Sequence, residues 1–239
     1  MKVETIKCLT DNFAYLVINE KNNNTCVIDP SEAKPIINYV EKNKLNLKFI
    51  LNTHHHFDHV GGNKALKIKY NAKVVGFIKD KHRIPEIDIS LENNEIWNND
   101  EFEAKIYHIP GHTLGHICFH FFKEKILFTG DTLFSLGCGR VFEGSYEQMF
   151  SSLQLIKSLP KETEIYCGHE YTLKNSEFCL KYDSKNDNLK NKIKLIKKNL
   201  EKGIPSVPSR LEDELNCNIF LRSKDVDAFS KLRELKDKF

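Results

Sequence analysis

Residues 51–62 read Leu-Asn-Thr-His-His-His-Phe-Asp-His-Val-Gly-Gly. Within this segment His54, His56 and His59 offer imidazoles and Asp58 offers a carboxylate, the nitrogen and hard oxygen donors that zinc, iron or manganese accept. The segment starts where the apolar stretch 47–51 (LKFIL) ends, and that stretch reads as a β-strand. Loops at the C-terminal ends of strands are where layered α/β architectures build their sites. Alternation along an extended chain points His55 away from its neighbours His54 and His56, so it is left out of the candidate site. Gly61 and Gly62 are expected to turn the chain tightly into the next helix, bringing Asp58 and His59 toward His54 and His56.

The remaining pattern is that of a mixed α/β chain. Segments 13–18 (FAYLVI), 25–29 (TCVID), 73–77 (KVVGF), 102–107 (FEAKIY), 117–121 (ICFHF), 125–129 (KILFT) and 164–167 (EIYC) are rich in β-branched and aromatic residues and predict strands. Asn22–Asn24 is a hairpin turn between the first two. Helical spacing of apolar residues predicts helices over 33–42, with Pro35 near the start, over 62–70 and over 146–157. After about residue 170 the strands stop. Helices are predicted over 172–182, over 187–202 with Leu189, Ile193, Ile196 and Leu200 as a stripe among lysines, and over 226–236. Two domains follow, residues 1–170 and 171–239, the second too small to hold a sizeable core of its own.

Three more candidate ligands sit at strand ends. His112 lies in a Pro-Gly turn ahead of strand 117–121, Asp131 immediately beyond strand 125–129, and His169 immediately beyond strand 164–167. Seven ligands exceed what one tetrahedral ion takes, whereas two ions use them all, with the two oxygens of Asp131 able to bridge.

The 239 residues carry 36 Lys and Arg against 33 Asp and Glu, a balance that gives no electrostatic case for a nucleic-acid partner. No stretch approaches the roughly 20 apolar residues of a membrane span, and the N-terminus lacks the apolar run of a signal peptide. Seven scattered cysteines without a CxxC pair suit a reducing compartment, so a cytoplasmic location is expected.

The stretch THHHFDH, together with His112, Asp131 and His169, resembles the metallo-β-lactamase superfamily. Within it, CLTDNFAYLV (8–17), PGHTLGH (110–116), FTGDTLFSLGCGRVFEG (128–144), CGHEYTLKN (167–175), VPSRLEDELNCNIFLR (207–222) and LRELKDKF (232–239) resemble the hydroxyacylglutathione hydrolase, or glyoxalase II, family. The metal motif speaks only for the superfamily, while GCGRVFEG, GHEYT and the tail narrow it to the thioesterase.

The resemblance implies a four-layer αββα sandwich with a C-terminal helical domain that closes over the substrate. It implies a binuclear centre of two divalent ions, zinc with iron or manganese as alternatives. His54, His56 and His112 are expected around one ion and Asp58, His59 and His169 around the other, with Asp131 bridging. It implies hydrolysis of S-D-lactoylglutathione to glutathione and D-lactate by a metal-bridging hydroxide that Asp58 positions. Around the glutathione moiety it places Arg140, Tyr171, Asn175, Arg233 and Lys236, in a chain acting as a monomer on a small molecule, away from nucleic acid and membrane. Two positions depart from the family pattern: Phe142 stands where a Tyr is common, and Asn218-Ile219-Phe220 replaces Asn-Pro-Phe. A persulfide dioxygenase, a β-lactamase and a nuclease are alternatives built on the same metal motif.

Overall fold

The computed structural model describes residues 1–99 and 101–239. Packing gathers the chain into two compact units, Met1–His108 with Gly115–Glu124, and Ile109–Leu114 with Lys125–Phe239.

The first unit is built on a six-stranded sheet whose spatial order follows the chain: β1 (Lys2–Cys8), β2 (Asn12–Ile18), β3 (Asn24–Ile28), β4 (Asn46–Leu51), β5 (Lys73–Phe77) and β6 (Ile87–Leu91). The first two pairings are antiparallel and the other three parallel. The β2–β3 hairpin closes where expected, with the amides of Asn22 and Asn23 on the carbonyl of Asn19 and Asn23 in the left-handed region. β2 is buried at every position, which is why its sequence is a continuous apolar run rather than an alternation.

Helix α1 (Ala33–Lys42) crosses from β3 to β4 and buries Ile36 and Val40. Pro35 sits in its first turn, where the missing N–H is no loss. The four-residue α2 (Phe57–Val60) and α3 (Asn63–Tyr70) connect β4 to β5, and Leu66 of α3 joins the same core as Ile36, Val40, Leu16, Val27 and Ile50. Fully burying each such aliphatic contributes about 1.5–3 kcal/mol. An antiparallel ladder of β7 (Ile96–Asn98), β8 (Glu103–His108) and β9 (Ile117–Phe121) completes the unit.

Gly61 and Gly62 have ordinary helical φ values, −60° and −83°. The turn uses them for close approach rather than for left-handed freedom: a Cβ on Gly61 would lie 2.5 Å from the carbonyl oxygen of Ser31, and one on Gly62 2.8 Å from that of Pro30. That contact seats the ligand-bearing segment against the end of β3.

The second unit pairs β10 (Ile126–Gly130) with β13 (Glu164–Cys167) in parallel and β13 with β14 (Ser209–Arg210) antiparallel. A short hairpin, β11 (Leu133–Phe134) with β12 (Gly137–Cys138), follows β10. Helix α4 (Tyr146–Lys157) begins with a reciprocal cap, the Gln148 amide donating to the Ser145 hydroxyl and the Ser145 amide to the Gln148 side chain. The other helices are α5 (Thr172–Tyr182), α6 (Asp187–Leu200), α7 (Leu211–Cys217) and α8 (Val226–Asp237). Phe229 of α8 lies against Tyr146 and Phe150 of α4, while Phe178 of α5 stacks on Phe220 at 5.9 Å. All seven cysteines are buried, and among the described residues none is joined in a disulfide. Among the described residues no helix is long and apolar enough to cross a membrane.

Candidate metal ligands and a cationic cavity

In the first unit the end of β4 delivers Thr53 and His54, and α2 delivers Asp58 and His59. Asp29, at the end of β3 with φ +47°, is aimed at both. Its Oδ1 accepts from the Thr53 amide at 2.8 Å, and its Oδ2 accepts from the Thr53 hydroxyl at 2.6 Å and lies 3.0 Å from His59 Nδ1. The Thr53 hydroxyl spends its proton on Asp29, so at 3.0 Å from His54 Nδ1 it is placed to accept. Each neutral ring thus carries its proton on Nδ1 and its lone pair on Nε2.

Those Nε2 atoms face further potential ligand atoms. His54 Nε2 lies 3.1 Å from His56 Nδ1, and His59 Nε2 lies 3.8 Å from Asp58 Oδ2. Asn12 steadies Asp58, donating to the same Oδ2 at 3.0 Å and to the backbone carbonyl at 3.1 Å. Asp29, His54 and His59 are all buried and bring ligand atoms within 4.8 Å of one another. His116 stacks on His54 at 4.6 Å. His55 turns away, its Nδ1 3.0 Å from Asp80.

The second unit repeats this logic. His112 is carried by the turn at Gly111, whose φ of +148° and 2.7 Å distance from an added Cβ to Met149 leave no room for a side chain. Its Nδ1 donates to the carbonyl of Arg140 at 2.8 Å, leaving the lone pair on Nε2, which points at Asp131 Oδ2 from 3.5 Å. His169 Nε2 approaches the same oxygen from 3.3 Å, and its ring stacks on Tyr171 at 4.7 Å with 7° between the planes.

A lone pair directed at a carboxylate oxygen repels it unless a proton or a metal cation lies between them. The donor set in each unit therefore fits divalent metal ions of the zinc, iron or manganese kind. The structure gathers His54, His56, Asp58 and His59 in the first unit and His112, Asp131 and His169 in the second. Asp29, Thr53, Asn12 and His116 escaped the sequence reading. Asp29 carried a usable signal, since it closes the strand run TCVID as Asp131 closes its own.

Also in the second unit is a cavity of about 360 Å³ lined by Phe134, Cys138, Arg140, Tyr171, Lys174, Asn175, Arg233, Lys236 and Asp237. All five residues expected at the glutathione moiety line it. Four cations face one carboxylate there, an arrangement that selects anions. Arg140 is exposed, 3.4 Å from Asp237, and its guanidinium lies over the Phe142 ring. Lys236 extends across Phe178 and Phe239 and donates to the Lys174 carbonyl at 3.2 Å. Burial, reinforced by the Arg233 guanidinium, pushes its ammonium down to about 8. Arg233 is only 4% exposed, unlike a solvated surface arginine. Asn175 donates to the Ser135 carbonyl at 3.1 Å. Of the two departures from the family pattern, Phe142 is exposed with its ring 5.2 Å from that of His112, and Ile219 is buried.

Residues 10–169 match the metallo-β-lactamase superfamily model, and residues 170–239 match the model of the hydroxyacylglutathione hydrolase C-terminus. A hydroxyacylglutathione hydrolase of Pelagibacter ubique (strain HTCC1062) is 61% identical over 239 residues, all of both chains. The chain belongs to the hydroxyacylglutathione hydrolase family. A second member, from Prochlorococcus marinus (strain MIT 9301), is 46% identical over 97% of this chain and 94% of its own. Among solved structures, ETHE1 from Myxococcus xanthus superposes with a TM-score of 0.75 over 98% of this chain and 90% of its own, at 22% identity, a likeness of fold. The fold class is accordingly the αββα metallo-β-lactamase sandwich with a C-terminal helical extension.

Proposed function

We propose that this chain hydrolyses S-D-lactoylglutathione to glutathione and D-lactate at a binuclear centre, acting as a monomer in the cytoplasm. The observation that carries the reading is the orientation of four imidazoles. His54, His59 and His112 each give Nδ1–H to an oxygen within 3.0 Å and aim Nε2 at another potential ligand atom, and His169 aims Nε2 at Asp131. His54, His56 and His112 would hold one ion, Asp58, His59 and His169 the other, and the two oxygens of Asp131 would bridge. Such a pair supplies the Lewis acidity that activates water and polarises the thioester carbonyl.

The chain's own groups do the rest. Asp58, fixed by Asn12, accepts a hydrogen bond from the attacking water and orients it toward the carbonyl carbon. The water oxygen adds to the carbonyl carbon and gives up a proton to solvent past Asp58, and collapse of the tetrahedral adduct then breaks the C–S bond. Glutathione departs as a thiolate, so no strong general acid is required. Residues 171–239, with Arg140, form the substrate-binding part: Arg140, Arg233 and Lys236 meet carboxylates of glutathione, and Tyr171 and Asn175 flank its peptide portion. Membership of the family and the cationic cavity both support this assignment.

The test pairs metal analysis of protein purified without added metal with initial rates on S-D-lactoylglutathione. Two equivalents of divalent metal and turnover that a chelator abolishes are expected. A well-folded protein with full metal and no thioester hydrolysis would overturn the substrate. Oxygen uptake on glutathione persulfide would assign it to dioxygenase chemistry instead.

A further inference from the structure

Arg233 does more in this fold than line a cavity. Its Nη1 donates to the carbonyl of Cys138 at 2.7 Å and reaches toward that of Gly139 at 3.5 Å. Its Nη2 is held by Asp237, one turn further along α8, at 2.9 Å, and its guanidinium lies over the Phe220 ring at 5.3 Å. The group is therefore anchored on α8 and bonded to the backbone at the end of the β11–β12 hairpin.

That backbone leads directly to two proposed metal ligands. Gly139 gives its N–H to the Thr132 carbonyl at 3.1 Å and packs so tightly on the Asp131 carbonyl oxygen that an added Cβ would lie 1.8 Å from it. The next carbonyl, that of Arg140, takes the Nδ1 proton of His112 at 2.8 Å and so sets its tautomer. One peptide thus links the Arg233 hydrogen bonds to Asp131 and the following one links them to His112. Helices α5 and α7 grip the same hairpin: Asn175 donates to the Ser135 carbonyl, Asn218 to that of Gly137 at 3.0 Å, and buried Glu214 accepts from the Leu136 amide at 2.8 Å.

We propose that Arg233 is a positioning residue for the metal centre, acting through the Cys138–Arg140 backbone to set the orientation of His112. This rests on the reading of His112 as a metal ligand. A cation on a helix that faces the substrate cavity would then also fix a metal ligand, which ties the second unit's substrate face to its ligand set.

The experiment titrates metal-free protein with zinc against a chromophoric chelator, without substrate, and records the visible absorption of the cobalt-loaded protein. Wild type, Arg233→Ala, Arg233→Lys and Arg140→Ala are compared, each checked for native circular dichroism. Arg233→Ala is expected to weaken one of two zinc sites by about 10-fold or more and to alter the cobalt spectrum. Arg233→Lys, which can still reach the Cys138 carbonyl, recovers part of that loss. Arg140→Ala, which keeps the carbonyl, retains wild-type zinc affinity. Should Arg233→Ala fail to fold, an intermediate zinc affinity for Arg233→Lys carries the inference and a wild-type value overturns it. Wild-type zinc affinities and cobalt spectra in a folded Arg233→Ala also overturn it while leaving the hydrolase reading intact. A wild-type protein that binds no zinc overturns both.

Discussion

The Asp29 carboxylate lies 3.0 Å from Nδ1 of His59, and the same oxygen takes the Thr53 hydroxyl. One acceptor thereby sets the proton of one proposed ligand directly and of a second, His54, through the threonine. Asp29→Asn replaces one acceptor oxygen by a donor amide, which cannot satisfy both the Thr53 amide and hydroxyl and the His59 Nδ1–H. We expect zinc affinity to fall by about 10–100-fold, as with other partners of ligating histidines. Isothermal or competition titration of metal-free protein measures it, and an unaltered affinity would remove Asp29 from this role.

Asp131 Oδ2 is approached by the Nε2 atoms of both His112 and His169, at 3.5 and 3.3 Å. Asp131→Ala deletes the carboxylate that both of these rings approach. Metal content should drop below two equivalents, and kcat/KM on the lactoyl thioester should fall by about 100-fold or more. Full metal occupancy with normal turnover would show that this carboxylate bridges nothing.

The candidate ligands were legible in the sequence because they lie at or beside strand ends, and the strands themselves are marked by apolar runs. The ends that matter follow strands such as β10 and β13, buried along nearly all their length, and β4, which buries Leu47, Ile50 and Leu51. Less legible elements share a physical cause, the absence of an apolar run. β1 (Lys2–Cys8, KVETIKC) is an edge strand that carries a Lys2–Glu4 ion pair at 2.6 Å and buries only Ile6 and Cys8. β6 alternates Ile87, Asp88 and Ile89 along the opposite edge. α7 escaped because it buries a carboxyl, Glu214, whose partner Leu136 lies 78 residues away. Tautomer control by Asp29 and by the Arg140 carbonyl depends on distant backbone in the same way. No local spacing reports such a contact.

Lys236 offers a pH test. Its ammonium is pushed down to about 8 by burial and by Arg233, with Lys174 adding to the same direction and the nearby Cys138 and Cys179 opposing it. The charged form, which alone attracts a carboxylate, is therefore present below about pH 8 and is lost as the pH rises through that value. KM for the glutathione thioester should rise several-fold from about pH 7 to about pH 9, while kcat changes less. Lys236→Arg keeps its charge throughout and should flatten the rise. A KM profile identical in the two proteins would detach Lys236 from substrate binding.

Phe142 provides the last test because its ring is exposed and beside both His112 and the Arg140 guanidinium. Family members commonly place a tyrosine here, and the missing hydroxyl is one donor fewer for an anionic tripeptide. Phe142→Tyr adds that donor at a solvent-facing ring edge, so it requires no desolvation and should leave thermal stability within about 0.5 kcal/mol of the parent. A hydrogen bond to a charged group contributes about 1.5–3 kcal/mol when well formed, and an exposed one contributes less. KM for the thioester should therefore fall several-fold with kcat unchanged, the signature of binding that does not distinguish ground state from transition state. A change in kcat alone would mean that the ring acts on His112 rather than on the substrate.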